Sequence, residues 1–354
     1  MEAKRYVGID VFRIICYMVV CAFHTTFHLG CSYGWFREVS SMGAVFMTAF
    51  FMMSGYVLYL IYNGEDFKEI KNVKKFIVKR FIGIVPMYYI SAIIYILVRG
   101  EETITQNILL APIEMLGLQS AFSSLFSYTH NGGTWFISCI LICYLIYPYI
   151  QEILKQMTIK HKMVMFIVIA GILMYAPVIV DKFGTMSIYS NPIFRSLEFI
   201  LGITLASMLE QIMRKKILQK FLCNWITVTA EFIIFTIIVT AGIKAKFHIG
   251  DYMYYNIVGI PLFACMLISF TGVKTDLINN SKIIKYLSSL AYSFFLAQLF
   301  SNWICLELIK KYNITSNIKK IALGWGVCII IALVLHELIE KRLTDFLKKK
   351  LVKE

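Results

Sequence analysis

The stretch Gly8-Ile-Asp10-Val-Phe-Arg13-Ile-Ile-Cys-Tyr-Met-Val-Val-Cys-Ala-Phe-His24 is apolar at most positions yet carries an acid, a base and an imidazole, and His28 follows one turn later. Asp10, Arg13, His24 and His28 are separated by three, eleven and four residues. On a helix those steps bring all four close to one face. Ionisable groups in hydrocarbon are costly, so such a stripe faces protein or a wet cavity and marks a working site.

Working outward from this stretch, similar apolar runs recur along the whole chain. Of its 354 residues, 59% are hydrophobic and 16% charged, with mean hydropathy +0.71. These values lie far outside the range of soluble domains. Ten runs approach the twenty residues that cross a core of roughly 30 Å: 9–29, 42–62, 81–98, 133–150, 163–180, 194–212, 223–242, 253–271, 287–309 and 318–339. The region 104–126 is interrupted by Pro112 and Gly117 and reads as a re-entrant or interfacial helix. The expected fold is an all-α, polytopic membrane helical bundle of about ten transmembrane helices. Residues 1–345 form one integral-membrane domain, and 346–354 form a basic cytoplasmic tail.

Charge placement orients the bundle. With the N-terminus inside, 24 of the 35 Lys and Arg residues fall in inner segments, and nine fall in outer loops. Arg13 and Arg195 stay within spans. This bias expects both termini in the cytoplasm and a plasma-membrane location. The net charge of +14 therefore speaks for lipid-facing lysines rather than for nucleic acid. The first apolar run has no small-residue cleavage site and reads as a span. The longest polar stretch is only 63–80, so the chemistry has to use residues in the membrane or in short loops.

The nine cysteines sit mostly in apolar runs and read as small core residues, without a disulfide framework. Cys139 and Cys143 lie one turn apart, but no neighbouring histidine or acid completes a ligand set, so no metal is expected.

Five local patterns carry the candidate chemistry. His24 lies about 16 Å from Arg13 along the helix, three turns at ~1.5 Å per residue. Arg13 and Asp10 form an i, i+3 pair that partly neutralises itself. Lys79 and Arg80 precede Pro86, either as a positive-inside anchor or as ligands for phosphate or a thioester carbonyl. Pro86 is expected to kink its helix. Ser54-Gly55 is either a close-packing device or part of a pocket. Gly132-Gly-Thr-Trp135 leads to Tyr144 and Pro148, where the Trp is either interfacial belt or a platform for sugar or acyl chain. Arg195-Ser-Leu-Glu198 is either a clamp or part of an acceptor pocket.

Taken in order, these pieces resemble the acyltransferase-3 family, the integral-membrane O-acyltransferases of bacterial cell-surface polysaccharides. Asp10, Arg13 and His24 are similar to its opening signature. Lys79-Arg80, Ser54-Gly55, Trp135, Tyr144, Pro148, the Arg195…Phe199…Gly202 run and Glu340-Lys341 also stand where its pattern has them. The family's esterase-like domain has no counterpart in these 354 residues. The opening also resembles the membrane half of vancomycin-type serine racemases, again without the soluble domain. Two positions depart from the pattern: Gly83 replaces a second arginine, and Gln298 stands where the family often has histidine.

The resemblance implies transfer of an acyl group, most often acetyl, from cytoplasmic acyl-CoA to a hydroxyl or amine of a surface glycan or small molecule. No cofactor is implied beyond that co-substrate. His24 would be the general base or the acyl carrier, with Asp10 and Arg13 beside it in the catalytic set. Arg13, Lys79, Arg80 and Ser54 would hold the donor, while Trp135, Tyr144, Arg195 and Glu198 would serve the acceptor. The competing expectation is a transporter or export module, in which the same buried charges form a solute path.

Overall fold

A computed structural model describes residues 5–99, 103–121, 134–183, 188–247, 252–273 and 281–351; among them every regular element is helical. The chain forms α1 (Val7–Leu29), α2 (Arg37–Ser41), α3 (Phe46–Tyr62), α4 (Ile70–Ile82), α5 (Val85–Arg99), α6 (Ile104–Met115), α7 (Trp135–Gln156) and α8 (Ile159–Phe183). It continues with α9 (Pro192–Arg214), α10 (Lys216–Leu222), α11 (Trp225–Lys244), α12 (Asn256–Gly272), α13 (Lys282–Ser289), α14 (Ala291–Lys311), α15 (Asn317–Val334) and α16 (Lys341–Leu351). A π-helical turn, Leu335–Glu340, joins α15 to α16. The expected tail boundary at 345/346 falls inside α16.

Local chemistry sets the ends. Gly30 closes α1 at φ +66°, in the left-handed region that glycine adopts freely, with its N–H bonded to the Thr25 carbonyl. Asn191 caps α9 by accepting from the Ile193 N–H, ahead of Pro192 in the first turn, where no donor is needed. The expected kink at Pro86 is a short break at Gly83-Ile84, with Pro86 in the first turn of α5.

Among the described residues, eight helical spans are long and apolar enough to cross a bilayer, so the protein is a multi-pass membrane helical bundle. The remaining two expected spans are also helical: α14 is bent by 43° between Gln298 and Phe300, and α12 has only 17 residues. The region beginning at 104 is a short helix of 12 residues, α6, held to α5 by the Tyr88 hydroxyl on the Glu114 carbonyl at 2.8 Å. Residues 122–126 of that expected segment lie outside the described residues, as do Gly132 and Gly133.

The core packs closely between α3 and α9. A Cβ on Gly202 would overlap the Met52 carbonyl, and one on Gly55 would overlap the Phe199 carbonyl. Two small residues, one per helix, thus let the backbones touch, the device by which membrane helices gain dispersion contact. The expected close-packing role of Gly55 is realised here, and Ser54 beside it is free to face a cavity.

Candidate active site

The costly charges of α1 are held from outside their own helix. Arg13 Nη1 donates to Asp10 Oδ1 at 3.2 Å and to Ser288 Oγ at 2.8 Å; Ser288 Oγ donates to the same Asp10 oxygen at 2.6 Å. Arg5 Nε donates to the other Asp10 oxygen at 2.6 Å. One carboxylate therefore answers two guanidinium groups, leaving an excess positive charge at this end of the bundle.

Beside it lies a cavity of about 360 Å³ whose lining includes Arg13, Ser54, Lys79, Arg80, Tyr144 and Lys348. Four cations thus converge from α1, α4 and α16. Arg80 Nη2 donates to Tyr62 Oη at 2.8 Å, and its guanidinium lies 5.0 Å from that ring and 6.0 Å from the Tyr144 ring. Arg80 Nε is buried without a partner among the described residues. An unpaired buried donor costs about 1–3 kcal/mol, so an anionic or carbonyl oxygen beside it would stabilise the site. A second cavity of about 330 Å³, lined by Arg5, Asp10, Arg13, Ser288 and Ser289 among others, continues from Arg13.

Phe50, Phe136 and Phe295 line the larger cavity too. Their rings close against one another, with centroids 4.9 Å apart for Phe136–Phe295 and 6.5 Å for Phe50–Phe136. Helices α1 and α14 run side by side in parallel: the Tyr17 ring lies 4.7 Å from that of Phe294, and further along Leu29 and Cys305 share one buried cluster. The two pairs differ in number by 277 and 276, so Phe295 stands level with about residue 19 of α1. The aromatic cluster therefore lies between the level of Arg13 and that of His24.

His24 lines neither cavity. It is half-buried, with the His28 ring stacked on it at 5.7 Å and the Phe23 ring edge-on at 5.3 Å. Its Nδ1 is buried and without a partner among the described residues. Among the described residues no side-chain hydrogen bond to that nitrogen fixes the tautomer.

Arg195 and Glu198 meet as expected, but inside protein. Both side chains are 0% exposed, and Arg195 Nη1 lies 2.8 Å from Glu198 Oε2. Arg195 Nε donates to the Tyr189 carbonyl at 2.7 Å, while Thr48 Oγ1 donates to Glu198 Oε1 at 2.9 Å. The guanidinium is flanked by the rings of Phe51, Trp135 and Tyr189 at 5.0–5.5 Å. This is a clamp joining α3 and α9, and Trp135 packs on it rather than on either cavity. Of the four expected acceptor residues, only Tyr144 reaches the larger cavity.

Several neighbours had no signal in the sequence. Lys348 was assigned to a tail, and Tyr62, Ser288 and Tyr292 lay in unremarked runs; Tyr292 lines the cavity and bonds the Ile84 carbonyl at 2.8 Å. His28 had no supporting partner in the sequence; its stacking on His24 depends on the helix alone. Beyond the cavities, His336 Nδ1 lies 2.7 Å from Glu340 Oε2 in the π-helical turn, and Ser293 Oγ donates to that same oxygen at 2.6 Å. The described residues contain no group of three or more His, Cys, Asp and Glu suited to a metal ion.

A family model described as "Acyltransferase domain" matches residues 6–337, nearly the whole chain. The chain belongs to the acyltransferase-3 family. It is accordingly a membrane acyltransferase, with an acyl donor and an acceptor as its substrates. No curated protein and no solved structure matches it. In this acyltransferase, α16 and Lys348 lie beyond the matched residues.

Proposed function

We propose that this acyltransferase moves an acetyl group from acetyl-CoA to a hydroxyl or amine of a cell-surface glycan or small molecule. The observation that carries the reading is the cavity where Arg13, Lys79, Arg80 and Lys348 converge, with His24 about three turns further along the helix that bears Arg13. Four cations suit the phosphates of CoA. A flexible thioester arm then reaches past Phe50, Phe136 and Phe295 toward His24.

At His24 the imidazole takes the acceptor's proton as its oxygen or nitrogen adds to the thioester carbonyl. The C–S bond then breaks, and the departing thiolate takes the proton from the imidazolium. One thioester is consumed and one ester or amide forms. Asp10 acts at a distance, by orienting Arg13. The basic segments at the Arg13 end favour a cytoplasmic donor side, with both termini there and the acceptor reached from outside the plasma membrane.

The test is covalent. Purified protein given labelled acetyl-CoA and a glycan acceptor should release CoA and label the acceptor, while His24→Ala should bind donor and release almost none. Full turnover by His24→Ala would overturn the assignment. Solute movement without CoA release would instead support the transport reading.

A further inference from the structure

Among the described residues, three of the six that carry buried polar atoms without partners fall at one level. Gln298 is 2% exposed and Asn302 1% exposed. Both side-chain amide atoms of Gln298, and Oδ1 of Asn302, lack hydrogen-bond partners among the described residues. They lie one turn apart on α14, on the stripe that continues from Ala291 and Phe295, two residues lining the larger cavity. The α1–α14 offset of about 276 puts Gln298 level with residue 22 and Asn302 level with residue 26. His24 falls midway, roughly 3 Å along the axis from each. Its own Nδ1 is unpaired as well.

We propose that Gln298 and Asn302 are the specificity-determining residues for the acceptor, holding a second, neutral hydrogen-bonding group next to the hydroxyl that His24 deprotonates. This rests on the acyl-transfer reading and deepens it. A carboxamide offers one acceptor and two donors in a plane and carries no charge. Two such groups match a diol, whose neighbouring hydroxyl both donates and accepts. A charged ammonium would find acceptors here but no counter-charge: neither Gln298 nor Asn302 ionises, and the clamp carboxylate of Glu198 is already taken by Arg195 and Thr48. Helix α14 also bends by 43° between Gln298 and Phe300, where Ser301 Oγ donates to the Gln298 carbonyl at 2.8 Å.

The test uses three ring-matched probes: trans-1,2-cyclohexanediol, cyclohexanol and cyclohexylamine, each with labelled acetyl-CoA and purified full-length protein. The diol should be acetylated with kcat/KM about tenfold or more above cyclohexanol, since a site built for a polar group rejects the analogue lacking it. Gln298→Leu and Asn302→Leu should remove that preference, leaving cyclohexanol turnover and acetyl-CoA KM within about twofold. A diol-to-alcohol ratio unchanged in both variants would overturn the assignment, as would preference for the amine. Binding is read separately, from the rise in unfolding temperature with diol concentration. A diol-dependent rise in wild type that Gln298→Leu abolishes supports the site even where no CoA is released, which would instead refute the acyl-transfer reading. No rise in wild type overturns the site.

Discussion

Arg13 and Ser288, 275 residues apart in the chain, meet at 2.8 Å, and the serine hydroxyl in turn donates a hydrogen bond to Asp10. The triangle fixes one nitrogen of Arg13 while the same side chain lines the larger cavity. Ser288→Ala removes one neutral partner, a net loss of about 1 kcal/mol. The acetyl-CoA KM should rise about fivefold with kcat nearly unchanged, whereas Arg13→Gln should raise it far more. Donor saturation curves check this; a Ser288→Ala defect confined to kcat would contradict it.

Arg80 contacts Tyr62 through both a hydrogen bond and the ring face. Lysine keeps the charge but loses the planar fork that makes both contacts together. Arg80→Lys should therefore weaken acetyl-CoA binding by about tenfold, nearly as much as Arg80→Ala. Lys348→Ala, a solvent-exposed cation on α16, should cost less and show stronger salt dependence. Isothermal titration at two salt concentrations distinguishes the two residues.

The Arg195–Glu198 clamp predicts a stability effect that separates from catalysis. Glu198→Ala leaves a buried guanidinium without its carboxylate and should destabilise the protein by about 3–5 kcal/mol. The double variant Arg195→Met, Glu198→Leu should recover much of that loss. Thermal unfolding of the three proteins, wild type included, checks this; a double variant as unstable as Glu198→Ala would refute the clamp.

Phe136 touches both Phe50 and Phe295 at the inner limit of the larger cavity. Phe136→Ala opens that limit to water. Acceptor-independent release of CoA should rise several-fold while transfer to acceptor falls, both measurable in one thiol-release assay with and without acceptor.

Much of this was legible in the sequence because membrane burial leaves little freedom to a charged side chain. Arg13, Ser54, Lys79, Arg80 and Tyr144 were singled out one by one, and a single cavity unites them. What local pattern could not tell was which side of a pair faces protein. Arg195 and Glu198 read equally well as clamp or pocket, and their burial rests on Thr48, contributed by a distant segment, and on the Tyr189 carbonyl six residues upstream. Lys348 was invisible for the same reason, since only the return of α16 onto α4 brings it to the cavity. Spans showed the complementary error: length counts identify helices well, but the bend in α14 carries no proline or glycine to announce it.

The contact of Gly55 and Gly202 with carbonyls of the facing helix has a mechanical consequence. Where two backbones already touch, no side chain remains to rearrange, and the wall of the larger cavity that bears Ser54 is stiff. The opposite walls, on α4, α14 and α16, meet the cavity through Lys79, Arg80, Tyr292, Phe295 and Lys348, most of them long or rotatable. Swelling to admit a large nucleotide would thus be one-sided, hinged on a fixed spine and accommodated by the half of the bundle that also carries Gln298.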